Sequence, residues 1–158
     1  MLRPNATRYL LLFLLVGTVV FSWISSEAQE TGSARKELKV TISVYSGRPD
    51  PFFYLDNEAD IEQLRTFLKN SAVNKAFEKH AVIPSILGYR GIEVENRSGI
   101  RDVPGHMAVY KGNMEIGDKE KTFFIDKDRA LEHYLLKMAR EKKAIDEKMY
   151  NKLKASER

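Results

Sequence analysis

The sequence predicts an α+β fold: a small antiparallel sheet of about four strands, two helices packed on one face, and an extended C-terminal helix. Three observations carry this expectation. Leu38, Val40, Ile42 and Val44 alternate with Lys39, Thr41, Ser43 and Tyr45, the period-two pattern of a half-buried strand. Three later short runs repeat the alternation across brief Gly-containing links, which suit antiparallel neighbours. Two further stretches space their apolar residues by three and four, the pattern of a helix with one apolar face.

Before the first strand lies an export signal. Arg3 and Arg8 precede the uncharged run Tyr9 to Ile24, and Ser26-Glu27-Ala28 places small residues as a signal peptidase requires, so residues 1–28 read as a cleaved signal peptide. The alternative is an uncleaved anchor, but the run is shorter than the roughly 20 residues that span a bilayer. The expected localisation is secreted, extracellular. The chain contains no cysteine, so outside the cell it must hold itself together by burial, which is feasible at this length. Residues 29–37 (QETGSARKE) read as a flexible leader, and 38–140 as the α+β domain.

After the first strand, SGRPDP (Ser46 to Pro51) is a turn stiffened by two prolines, and it directs Phe52 and Phe53 back toward the core. Asp56 or Asn57 can cap a helix carrying Ile61, Leu64 and Leu68, with an expected continuation, after a break, through Ala72, Val73, Ala76 and Phe77 before Pro84. The next strands are expected at Tyr89 to Glu95, Gly105 to Lys111 and Lys121 to Ile125, with turn chemistry at Ser98-Gly99, Pro104-Gly105, Gly112-Asn113 and Gly117-Asp118. Asp126 or Asp128 can cap a last helix from about Lys127 to about Leu153. Its apolar series Leu131, Leu135, Met138, Ile145 and Met149 is interrupted by Lys142, and residues 141–158 are expected to project as a basic helical tail.

The formal net charge is +4, but it is unevenly placed. The span 137–158 carries eight basic and four acidic residues, whereas the body from 29 to 136 is nearly neutral. Nucleic acid is therefore an unlikely partner by composition. The tail is suited at most to weak contact with anionic surfaces, or simply to a solvated helix face.

Catalytic and metal motifs are sparse. His80, His106 and His133 lie far apart on different expected elements, without the close ligand pair of a zinc site, so no metal or cofactor is expected. Ser46 before Gly47 lacks the Gly-x-Ser-x-Gly setting, and Gly88-Tyr89-Arg90-Gly91 lacks the lysine and helix of a phosphate loop. Asn96-Arg97-Ser98 is a glycosylation acceptor motif on an expected turn. The candidate ligand-binding residues are Arg48 and Asp50 in SGRPDP, and Tyr89 and Arg90 in LGYRG. These are large polar groups held beside glycines and prolines, and arginine forks well onto carboxylate or phosphate. The competing reading is that Arg48 pairs with Asp50 and locks a corner.

The order SGRPDP, then Leu87-Gly88-Tyr89-Arg90-Gly91-Ile92, then Asp126 through Arg129-Ala130-Leu131-Glu132 with Leu135-Leu136, resembles a group of small exported single-domain proteins of unknown function. There the first motif usually reads SGRPNP, so Asp50 replaces an asparagine. The resemblance spans about Leu38 to Arg140. It implies an exported single domain and supplies no activity, ligand or catalytic residue. The expected function is a non-enzymatic binding or interaction module for an extracellular ligand or protein. The alternative is a small secreted hydrolase assembled from separated groups such as Asp50 and His106.

Overall fold

A computed structural model describes residues 36–44, 47, 49–75, 82, 84, 87–117 and 119–155. The expected signal peptide, most of the expected leader, Ser46, Arg48 and His80 lie outside the described residues. Seven antiparallel strands form one sheet: β1 (Leu38–Ser43), β2 (Phe52–Leu55), β3 (Ala72–Val73), β4 (Gly91–Glu95), β5 (His106–Tyr110), β6 (Asn113–Ile116) and β7 (Thr122–Ile125). Their order across the sheet is β2-β1-β4-β5-β6-β7-β3. Among the described residues three α-helices accompany it: α1 (Glu58–Asn70), α2 (Ala130–Glu141) and α3 (Glu147–Ala155).

The expected fold class holds, with nearly twice the expected strands. β2 was hidden because FFYL is only four residues long behind a proline. β6 was hidden because NMEI sits between two turns that the sequence marks with glycine. Lys111 and Gly112 both take positive φ, 46° and 78°, and close the two-residue hairpin between the paired Tyr110 and Asn113. β3 replaces the expected continuation of the first helix. Ser71 is extended rather than helical, with its N–H on the Leu68 carbonyl, and Ala72 and Val73 then pair with Ile125 and Phe124.

Pleating sorts the side chains. Val40, Ile42, Ile92, Val94, Met107, Val109 and Met114 line the inner face and form one buried cluster with Ile61 and Leu64 of α1 and Leu131 and Leu135 of α2. Each such aliphatic side chain contributes about 1.5–3 kcal/mol relative to exposure. The outer face carries Lys39, Thr41, Glu93, Glu95 and His106. Gly91 lets β4 close on β5, since a Cβ there would lie 2.5 Å from the Val109 carbonyl oxygen. Tyr134 on α2 donates its hydroxyl to Asp60 on α1 at 3.2 Å. Burial, then the Asp60 carboxylate, hold that phenol well above its ordinary pKa.

Asn57 caps α1, accepting the Ala59 N–H at 2.9 Å, as the sequence allowed. Asp126 receives the N–H groups of Leu131 and Glu132 at 2.9 and 3.0 Å, but α2 begins only at Ala130 because Asp128 and Arg129 both take left-handed φ of 55°.

The expected extended C-terminal helix is broken. Lys143 adopts φ 59° and ends the helical run, and the Ala144 and Ile145 N–H groups both turn back onto the Ala139 carbonyl. The break removes Lys142 from the apolar seam, where the series would place it, and gives it to Asp56 at 2.9 Å. Ile145 enters the core instead. α3, capped by Asp146 through the Met149 N–H at 2.7 Å, folds back so that Leu153 is 4% exposed. Arg140 lies 4.4 Å from the Tyr150 ring and adds a cation–π contact to this elbow. No described helix is long and apolar enough to cross a membrane.

Candidate functional site

The two segments singled out in the sequence do meet. Asp50 receives the Val44 N–H on Oδ1 at 2.9 Å and an Arg90 NH2 group on Oδ2 at 3.1 Å, while the Arg90 backbone N–H donates to the Ser43 carbonyl at 2.7 Å. Arg90 thus ties the corner from the β4 side, while Arg48, the arginine the sequence offered as its partner, lies outside the described residues. Both oxygens of Asp50 and part of the Arg90 fork serve the fold.

Tyr89 serves it as well. Its hydroxyl donates to Glu132 Oε1 at 2.6 Å, and its ring lies 5.9 Å from that of Tyr110. Glu132 is 0% exposed, and its second oxygen accepts the Arg129 Nε–H at 3.1 Å. A buried carboxylate requires such donors, so the Tyr89 hydroxyl is a structural partner.

Asn96 organises the loop between β4 and β5. Its amide nitrogen donates to the carbonyls of Ile100 and Val103, each at 2.8 Å, and its oxygen accepts the Ile100 N–H at 2.8 Å. A glycan on that nitrogen would replace one of its two hydrogens and cost the loop one of those bonds.

The outer face holds a short polar string. Ser43 Oγ donates to Glu93 Oε1 at 3.0 Å, and His106 Nε2 lies 3.7 Å from Glu93 Oε2. This arrangement does not prime a nucleophile: the serine is 2% exposed, and its proton goes to a carboxylate that stands between it and the histidine. Asp50 and His106, the separated groups considered for a hydrolase, have different partners. No group of three or more potential metal ligands occurs among the described residues.

What the sequence reading missed is the aromatic pair on β2. Phe53 turns inward as expected, but Phe52 turns outward and is 51% exposed, beside Tyr54 at 40%. The rings meet edge to face, 5.8 Å apart, and Lys39 Nζ lies 5.5 Å from the centre of the Phe52 ring. Cross-strand register sets Tyr54, Lys39, Glu95 and His106 in one row and Phe52, Thr41 and Glu93 in the next. The signal was present in the alternation of FFYL, which puts one aromatic residue and one leucine inside and two aromatic residues outside.

No family model, curated protein or solved structure matches the chain. The functional reading therefore rests on the chain's own chemistry.

Proposed function

We propose that the protein is an exported, non-enzymatic binding or interaction domain whose contact surface is the outer face of the sheet at its β2 end. The observation that carries this reading is the exposed Phe52–Tyr54 pair, two large rings turned to solvent on an edge strand beside a charged row. Aromatic rings at a rigid surface supply contact area at little entropic cost, which is why they dominate binding hot spots. The sheet and the Arg90–Asp50 lock hold the strand that carries them, so little ordering remains when a partner arrives. Export is supported by the N-terminal sequence pattern, with Arg3 and Arg8 before an uncharged run and Ser26-Glu27-Ala28 after it.

The test is the Phe52→Ala/Tyr54→Ala double variant. Both rings are surface features, so stability should change by no more than about 0.5 kcal/mol per site. Recovery of extracellular partners by the immobilised variant should fall at least tenfold relative to wild type, the loss expected of an aromatic hot spot. Equal recovery by both proteins would refute the reading.

A further inference from the structure

The backbone of β2 offers an open ladder. Bonded and unbonded pairs alternate along an antiparallel ladder, and the Ile42 N–H donates to the Pro51 carbonyl at 2.9 Å. Pro51, Phe53 and Leu55 therefore turn their main-chain groups toward β1, while Phe52 and Tyr54 turn their N–H and C=O groups away from it. The opposite side of β1 agrees with this phase, since the Ser43 carbonyl accepts from Arg90 on the β4 side. β2 is the sheet's edge, and among the described residues no strand pairs with its outer side.

The two edges of the sheet differ in how they are protected. β3 is only two residues long, too short to template another strand. β2 has four residues, no charge among them, and two exposed rings. Pro51 does not blunt it, because the position of its missing N–H faces β1.

We infer that this edge pairs with the same edge of a second copy of the chain, across a two-fold axis centred on Phe53, so that the sheet runs continuously through both copies. The strand is self-complementary in that register. Phe52 falls opposite the partner's Tyr54 and Tyr54 opposite the partner's Phe52, and both are the bonded type of pair, so every open main-chain group of the two residues finds a partner. The same register sets ring against ring on the outer face. Charge is also balanced at the ladder ends. Asp50, which holds Arg90, falls opposite the partner's Asp56, which holds the partner's Lys142, so two ion pairs of zero net charge lie side by side at each end. The interface is small and the association correspondingly weak. This inference rests on the β2 end being the contact surface, and it names the partner.

Sedimentation equilibrium of the chain, expressed from its full-length sequence and purified as the cell processes it, tests the pairing from about 1 μM to about 1 mM, the range such an interface calls for. The expected result is a doubling of mass with concentration, accompanied by rising hydrogen-exchange protection at the Phe52 and Tyr54 amides. Phe52→Glu alone and Tyr54→Lys alone should each weaken the dimer at least tenfold. The Phe52→Glu/Tyr54→Lys double variant should restore it, because the register brings each introduced carboxylate onto the partner's introduced ammonium. Thermal melts of all three variants establish that they are folded. A single-chain mass at every concentration overturns the inference, as does a dimer indifferent to these substitutions or one that the double variant fails to restore. If self-pairing fails while the double alanine variant still loses its extracellular partners, the binding surface stands and only its occupant is wrong.

Discussion

Asp50 shows how little a local motif says about its own contacts. From SGRPDP alone, Arg48 is the nearest cation in the chain, yet the carboxylate also takes a charge partner from Arg90, forty residues along the chain. The main-chain bond to Val44 is local and was legible as turn chemistry. The ion pair was not, because it depends on β4 lying beside β1. An asparagine at position 50 would retain an acceptor for the Val44 N–H and forgo the charge pairing with Arg90. Tyr89, a candidate ligand contact in the sequence, also has a structural bond that the sequence did not announce. Tyr89→Phe removes one hydrogen bond from the fully buried Glu132 carboxylate, so urea unfolding should show a loss of about 1–3 kcal/mol. An unchanged midpoint would mean that the hydroxyl is dispensable to the fold and would return it to the list of binding groups.

At the scale of elements, periodicity located the features whose pattern stands clear of turn residues and missed those embedded in turns. β1, β4, β5, β7 and α1 lie close to where alternation or three-four spacing put them. β2 and β6 are no shorter than β7, but FFYL follows a proline-rich turn and NMEI lies between two glycine turns, while β3 has only two residues and shows no alternation at all. The α2–α3 elbow was visible only as an anomaly, the lysine in an apolar series. Its cause, a left-handed Lys143, has no glycine to announce it. The elbow makes a quantitative claim about Leu153. If α3 is docked, Leu153→Ala should cost about 2–5 kcal/mol in a denaturant melt. A projecting tail would give a change within about 0.5 kcal/mol, the surface range.

At the scale of the whole molecule, charge and stability are linked through Asp126. Burial, reinforced by the charge of Glu132 and opposed by the Leu131 and Glu132 amides, raises its pKa above the ordinary carboxyl value. A carboxyl group with a raised folded-state pKa binds its proton more tightly in the native protein than in the unfolded chain. Its contribution is fully present below the unfolded value and is lost as pH rises through the folded one. Wild-type protein should therefore lose stability relative to Asp126→Asn as pH climbs from below the ordinary Asp value into the range just above it. Paired urea titrations across that window check the sign; a constant difference between the two proteins would exclude burial as the dominant influence. The fold class was legible at this scale because a few strong patterns suffice for it. The exposed aromatic pair was not, since exposure of Phe52 and Tyr54 depends on which strand occupies the edge.

One consequence of the strand order concerns time. β2 and β3 sit at opposite edges of the sheet, yet only the segment 56–71 joins them, most of it the thirteen residues of α1. A helix of that length spans about 20 Å, whereas a flat sheet of seven strands would hold its outermost strands about 29 Å apart. Even with residues 56, 57 and 71 extended, at about 3.3–3.6 Å each, the connection is near the limit of its reach. β4 through β7 follow one another in the chain as neighbours in the sheet, joined by the segments 96–105, 111–112 and 117–121, and need nothing from the tether. β3 has no strand to dock on until β7 is in place, and it is only two residues long, so hydrogen exchange should find its pairing with β7 among the first to open.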